Sequence, residues 1–290
     1  MKLAWQSKLV LLLVLPFAAA SLVLETRWWG VNSWPVAVWT LGISFLLGLV
    51  VLELRAATPG GAFAGFAITA CMMFSTAAVP YQPWHTALVP VLAVSVLAHL
   101  ATRLGREKKE RLGAAEGRRG RSASQVAANL GIAALASGEL SQSWLADTGW
   151  FPSLPATPML LFSAGLAALA EAAADTVSSE VGQVAGGRPR LITSLRKVDP
   201  GTDGAVSLTG TLAGIAAAIL VAAAGTMAVR GNFSMAWTSC LGGVSGLFAD
   251  SLLGATLERR GWLGNDAVNF LSTACAACIS LGLLALSRSF

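Results

Sequence analysis

Leu160-Leu-Phe-Ser-Ala-Gly-Leu-Ala-Ala-Leu-Ala-Glu171-Ala-Ala-Ala-Asp175-Thr-Val-Ser-Ser-Glu180 decides the fold class. Its apolar run matches the roughly 20 residues a helix needs to cross a bilayer. Within that run Glu171 and Asp175 lie four positions apart, hence on one helix face. Ionisable groups inside such a run are costly and are functional candidates by default. The rest of the chain has the same character: 55% of its residues are hydrophobic and 12% charged, and the mean hydropathy is +0.66. A soluble protein carries roughly 25% charged residues to wet its surface. Twenty Lys and Arg with 15 Asp and Glu cannot cover a 29.8 kDa globule. The composition excludes a soluble enzyme and a disordered chain. Cys71, Cys240, Cys275 and Cys278 lie in apolar runs with no pairing pattern, so a disulfide framework is excluded as well.

The sequence therefore predicts an all-α, polytopic transmembrane bundle. Nine apolar stretches are read at 7–24, 34–54, 60–79, 84–103, 123–138, 157–178, 204–228, 234–256 and 265–286. The fifth is the shortest and most polar, and eight spans with a re-entrant piece is the alternative. The first could pass for a signal peptide but lacks a small-residue cleavage site before Glu25, so it is kept as a helix. With nine spans and an inside N-terminus, 17 of the 20 Lys and Arg fall in inside segments. This is the asymmetry the positive-inside rule requires, and it predicts N-in, C-out. Residues 1–290 are expected to form one membrane domain, with 1–57 as two peripheral spans. Residues 58–290 form its core, with inside loops 103–122 and 183–203. Eight of the cations lie between Arg103 and Arg121, more than orientation alone needs.

Other polar residues gather at the same expected ends of the spans. They are Asp175-Thr-Val-Ser-Ser-Glu180, Asp250-Ser251 with Glu258 eight residues on, Asp266 with Asn269, and Gln125 with Asn129. Interhelical hydrogen bonding could explain any one pair, but not all of them on one membrane face. There is also an internal echo: Thr102-Arg-Leu-Gly105 followed by Gln125-x-x-x-Asn129 recurs as Ser251-Leu-Leu-Gly254 followed by Asn265-Asp266-x-x-Asn269. It suggests a parallel repeat of spans four–five and eight–nine. The loop from Arg188 to Gly204 joins four cations to the turn formers Pro200-Gly201 and Asp203-Gly204. Inward-pointing amides there, with a helix N-terminus, would make an anion-binding concavity; an ordinary connection is the alternative. Carboxylates beside basic loops are the parts of a magnesium–phosphate site, since Mg²⁺ takes one or two carboxylates plus phosphate oxygens and water. No P-loop, protein-kinase loop or G-x-G-x-x-G occurs. His85 is placed outside and His99 in span four, and both read as packing or hydrogen-bonding residues.

Several runs resemble one integral-membrane family. They are Glu171-Ala-Ala-Ala-Asp-Thr-Val-Ser-Ser-Glu-Val-Gly182, Pro189-Arg-Leu-Ile-Thr193, Val198-x-Pro-Gly-Thr-x-Gly204, Ala249-Asp-Ser-Leu-Leu-Gly-Ala-Thr256 and Asn265-Asp-Ala-Val-Asn-Phe-Leu-Ser272. This is the family of plant phytyl-phosphate kinase and related transmembrane proteins, and the resemblance runs from about Thr58 to the C-terminus. It implies a kinase converting an isoprenoid monophosphate to its diphosphate, with CTP as donor. The tail of such an acceptor could lie between spans while its head reaches the inner face. On this basis Asp175, Asp250 and Lys108 form the expected catalytic set, and Asp175, Glu180, Asp250 and Glu171 the expected Mg²⁺ ligands. Arg103, Arg106, Lys108, Arg190 and Lys197 would grip phosphates. Thr102, Gln125, Asn129, Ser179, Asn265, Asp266 and Asn269 would complete the nucleotide and acceptor site. The expected partners are CTP or another nucleoside triphosphate, a prenyl phosphate and membrane lipids, with no nucleic acid and with homo-oligomer formation open. No plastid transit peptide is evident, and the expected location is a bacterial inner membrane with the site facing the cytoplasm. A transporter or flippase of a lipid-linked anion is the competing class. It would need polar residues through the midplane, where this sequence is nearly bare.

Overall fold

A backbone placed in hydrocarbon has to satisfy its own hydrogen bonds, so the apolar stretches fold as helices. The computed structural model describes residues 4–105, 120–148, 158–185 and 187–287. Ten α-helices occur among these residues. They are α1 (Ala4–Asn32), α2 (Trp34–Glu53), α3 (Pro59–Ser75), α4 (Leu88–Arg103) and α5 (Ala123–Ser137). The chain continues with α6 (Glu139–Thr148), α7 (Pro158–Ala185), α8 (Leu208–Ala228), α9 (Phe233–Leu253) and α10 (Asn265–Ser287). Six helices are long and apolar enough to cross a bilayer: α1, α2, α7, α8, α9 with its following turn, and α10. The other three expected spans are also apolar helices, but α3, α4 and α5 have only 17, 16 and 15 residues, short of the usual span of about 20. The ten-residue α6 has no counterpart among the expected spans, because its mixed polarity marks no apolar run.

Local polar signals set the helix starts. The Thr58 hydroxyl accepts from the Gly61 N–H ahead of Pro59, Ser122 and Gln125 cap α5 reciprocally, and Ser207 and Asn232 cap α8 and α9. The bundle is built around α7, which packs against α4, α5, α8, α9 and α10. Its apolar window is 94% buried, against 28% for α1 and for α2. The helix that carries Glu171 and Asp175 is thus the one most enclosed by protein. Trp5, Leu12, Trp39, Phe45 and Leu46 on α1 and α2 stay exposed, an apolar surface suited to lipid.

Small residues let the other helices approach α7. A methyl group built on Gly210 or Gly214 of α8 would sit 2.6 Å from the Ser178 carbonyl or 2.8 Å from the Ala174 carbonyl. On Gly243 of α9 it would sit 2.7 Å from Ala170 Cβ and 3.1 Å from the Glu171 nitrogen. Those neighbours are fixed to the α7 backbone and cannot yield. Gly243→Ala is therefore expected to lower stability by about 1–3 kcal/mol, read as a lower unfolding midpoint in detergent. Gly42→Ala on the exposed side of α2 meets nothing within 4 Å and should leave the midpoint unchanged. Hydrogen-bonding glue is also present, deeper in the bundle: Ser239 donates to the Ser163 carbonyl at 2.9 Å and Ser280 to the same oxygen at 3.4 Å.

Three further features lie away from the helix–helix seams. The loop after α7 carries a short antiparallel ladder, β1 (Arg190–Leu191) with β2 (Ala205–Val206), pairing Arg190 with Val206 and Leu191 with Ala205. This is a small correction to an all-helical reading, which saw only turns there. α1 is clasped to the turn that leads into α10: Gln6 Nε2 donates to the Trp262 carbonyl at 2.9 Å, and the Gly264 N–H donates to Gln6 Oε1 at 2.8 Å. At the opposite end of the bundle Arg230 Nη2 donates to His85 Nε2 at 3.0 Å, and His85 Nδ1 bonds the Ala228 carbonyl at 2.9 Å.

Candidate functional site

A cavity of about 290 Å³ opens at the end of the bundle where α7 and α9 finish and α5, α8 and α10 begin. Gln125 of α5, Ser207 at the start of α8 and Asn265 at the start of α10 all line it. Three helix N-termini with their positive dipole ends therefore converge on one space. The loop Gly201–Ala205 forms its lid. That loop is held by the Ile192 N–H donating to the Gly204 carbonyl at 3.1 Å and by Thr202 Oγ1 donating to the Asp199 carbonyl at 2.7 Å. Gly204 has φ 71°, and a methyl group there would sit 2.3 Å from the Ala255 nitrogen. Only glycine lets the lid rest on the π-helical turn Gly254–Glu258 that ends α9.

Asp175 and Asp250 face each other across this cavity within hydrogen-bonding reach. Ser179 Oγ lies 3.5 Å from Asp175 Oδ1, and Glu180 and Glu258 line the same wall. Asp250 Oδ1 and, one turn below Asp175, Glu171 Oε1 are buried with no hydrogen-bond partner among the described residues. Arg121 answers this charge. Its Nη2 donates to Thr176 Oγ1 at 3.3 Å and its guanidinium faces Asp175. Asn129 and Asn269 meet directly, with Asn269 Nδ2 donating to Asn129 Oδ1 at 3.3 Å, while Asn129 Nδ2 donates to the Gln125 carbonyl at 2.8 Å.

The structure thus brings together Asp175, Ser179, Glu180, Asp250, Gln125, Asn129, Asn265 and Asn269. Glu171 is 1% exposed and lies beneath the cavity rather than on its wall. Thr102 and Arg103 line a second, adjoining cavity. Arg190 is turned outward, bonding the Leu195 carbonyl through Nη1 at 2.8 Å; Lys197 is exposed beside it, and Asp266 is not on the wall. Arg106 and Lys108 lie outside the described residues. Sequence reasoning missed Arg121, Gln183 and Asp203 as wall residues, and gathered Thr176 and Glu258 with the converging polar clusters without giving either a role. The second cavity, about 370 Å³, lies between α2, α3, α4 and α5. Arg121 and Asn129 belong to both.

Among the described wall residues of the first cavity, Arg121 is the one cation against five carboxylates: Asp175, Glu180, Asp203, Asp250 and Glu258. No three His, Cys, Asp or Glu among the described residues form a ready ligand set. A cage for a resident ion is not what the wall offers. A pair of facing carboxylates with an unpartnered oxygen suits a Mg²⁺ that completes its shell with phosphate oxygens and water.

The profile of the family described as integral membrane protein DUF92 matches residues 42–277, which span every wall residue named above. The chain belongs to that family. It is 40% identical over 116 residues to the uncharacterized membrane protein MJ0933 of Methanocaldococcus jannaschii, covering 40% of this chain and 48% of the relative. To the uncharacterized membrane protein sll0875 of Synechocystis it is 36% identical over 213 residues, 71% of this chain and 76% of the relative. To Protein VTE6, chloroplastic, of Arabidopsis thaliana it is 28% identical over 195 residues, 66% of this chain and 56% of the relative. No solved structure matches. These findings and the apolar helices establish an integral membrane protein.

Proposed function

We propose that the chain is a prenyl-phosphate kinase, transferring the terminal phosphoryl group of CTP to an isoprenoid monophosphate such as phytyl or geranylgeranyl phosphate. The single observation that carries this reading is the facing pair Asp175–Asp250, opposed by Arg121, in a polar cavity ringed by three helix N-termini. The motif resemblance to the phytyl-phosphate kinase family and the likeness to the plant relative support it.

An oxygen of the acceptor monophosphate attacks the terminal phosphorus of the nucleotide. The new P–O bond forms as the bond from that phosphorus to the bridging oxygen breaks, and the nucleoside diphosphate leaves with the electron pair. A phosphate monoester has its second pKa near 6, so an anionic oxygen is already present at neutral pH and no side chain has to remove a proton. The carboxylates are accordingly metal ligands: Asp175 and Asp250 would hold Mg²⁺, with Glu180 in support and Glu171 positioning Asp175 from below. When bound, Mg²⁺ neutralises phosphate charge and orients the transferring group. Arg121 stabilises the charge on the equatorial oxygens, and the amides of Asn129 and Asn269 orient the donor or acceptor phosphates. The N-termini of α5, α8 and α10 add fixed positive potential. In the N-in orientation the site faces the cytoplasm of a bacterial inner membrane, where the nucleotide is available.

The test incubates detergent-purified protein with Mg²⁺, each nucleoside triphosphate and geranyl, farnesyl, geranylgeranyl and phytyl monophosphates. Prenyl diphosphate formed with CTP in preference to the others is the expected result. Failure of every pair to give diphosphate removes the kinase reading and turns attention to transport of a phosphorylated lipid.

A further inference from the structure

The second cavity has a different chemistry from the first. Leu47, Val51, Val91, Val94, Ala98 and Leu130 make its walls mostly apolar, with Ser95 and His99 interspersed, while Arg55, Arg103 and Arg121 line it near the helix ends. The mouth is where α2 ends, α3 begins and α4 ends, and there the backbone ties the elbow together: the Arg121 N–H donates to the Ala56 carbonyl at 2.9 Å and the Thr58 N–H to the Arg121 carbonyl at 3.0 Å. Downward, the lining reaches Thr69 on α3 and Val91 on α4. At 1.5 Å per residue that is about 12 Å along α3 from Gly61 and about 18 Å along α4 from Arg103. The cavity thus ends roughly halfway through a hydrocarbon core of about 30 Å. α2 packs on α3 and α4 packs on α7 and α8. The cavity occupies the space between those two groups. It shares Arg121 and Asn129 with the polar cavity.

We propose that this cavity is the chain-binding subsite for the acceptor, receiving the apolar chain of a membrane monophosphate whose head lies at Arg121. The inference rests on the kinase reading for the identity of the head and on the cavity's own lining for the chain. A mostly apolar slot with three arginines among its lining residues fits an amphiphile with one anionic end and a hydrocarbon tail. A hydrocarbon chain suits the slot better than a nucleotide does, because Thr69, Ser95 and His99 are few polar partners for a base and ribose along a mainly aliphatic wall. Gly65 sets the bore. It lines the slot on α3, and a methyl group built on it meets nothing within 4 Å. A larger side chain there grows into the slot without pressing on a neighbouring helix.

The test uses full-length Gly65→Leu and, as a control, Gly42→Leu, whose position is exposed and equally open on α2. Binding of dimethylallyl, farnesyl and geranylgeranyl monophosphates and of dodecyl phosphate is measured in detergent without nucleotide, and diphosphate formation separately. Gly65→Leu is expected to weaken farnesyl and geranylgeranyl monophosphate binding at least tenfold, leave dimethylallyl monophosphate unchanged, and keep the wild-type unfolding midpoint. Gly42→Leu should match wild type for every ligand. Equal effects on short and long chains, or none, would overturn the subsite. Chain-selective binding lost in Gly65→Leu, with no diphosphate formed by the wild type, would leave the subsite standing and remove the kinase reading. Diphosphate formation with an unchanged chain-length profile in Gly65→Leu would do the reverse. Preference for farnesyl over dodecyl phosphate supports an isoprenoid chain, and the opposite preference overturns it.

Discussion

Asp175→Asn and Asp250→Asn are each expected to reduce CTP-dependent diphosphate formation on the order of 10²–10³-fold, the scale for removing a group that stabilises transition-state charge. The two residues face each other from α7 and α9, and Asp250 keeps an oxygen without a partner among the described residues. An amide in place of either carboxylate occupies the same volume, so packing should survive. It also removes one of two like charges held close together, so the variants should be no less stable than wild type without metal. The discriminating measurement is the effect of Mg²⁺ with nucleotide on the unfolding midpoint. Ligand at about 100 times its Kd stabilises the folded state by about 2.7 kcal/mol. Wild type should show such a rise, and both variants should lose most of it. Full activity in Asp175→Asn would remove the metal assignment.

Arg121→Ala is expected to be equally severe, on the order of 10³-fold in kcat, the lower end for an arginine acting on a transferring phosphoryl group. Arg121→Lys keeps the charge but not the planar fork and should restore only part of the loss. The backbone of residue 121, not its side chain, ties the elbow between α2 and α3, so both variants should fold. Because Arg121 lines both cavities, Arg121→Ala should weaken binding of every prenyl monophosphate by a similar factor whatever its chain. That separates it from Gly65→Leu, which discriminates by length.

The carboxylate half of the site was legible because charges inside apolar runs are anomalies. Asp175 and Asp250 stand out in any reading of this chain, and one-face clustering at the span ends puts Asn129 and Asn269 with them. Arg121 was hidden in plain view as the last of eight cations in one run, where charge reads as an orientation signal. What lifts it from that run is the residue after it: Ser122 opens a capping box with Gln125, which pins position 121 at the mouth of a helix. Arg190 and Lys197 went the other way. Turn formers correctly marked their loop as shaped backbone, but the β1–β2 register turns these side chains outward, and pairing of two-residue strands leaves no periodicity to read. The slot between α2, α3, α4 and α5 was invisible for a different reason. Gly61 and Gly65 look like a matched packing pair, yet Gly61 abuts the Arg121 carbonyl and Gly65 abuts nothing. Spacing alone does not say which glycine faces protein and which faces space.

The clasp between Gln6 and residues 262–264 joins positions more than 250 apart in sequence. During synthesis α1 is made and inserted long before its partner at the start of α10 leaves the ribosome. The reactive cavity draws its wall from α5, α7, α9 and α10, so no partial chain holds it complete. α10 therefore acts as a keystone: until it docks, the α7–α9 pair around Glu171 stays uncovered on one side and Asn129 lacks Asn269. Activity should accordingly appear in a single step once α10 has docked, as expected where distant segments must meet before their contacts can form.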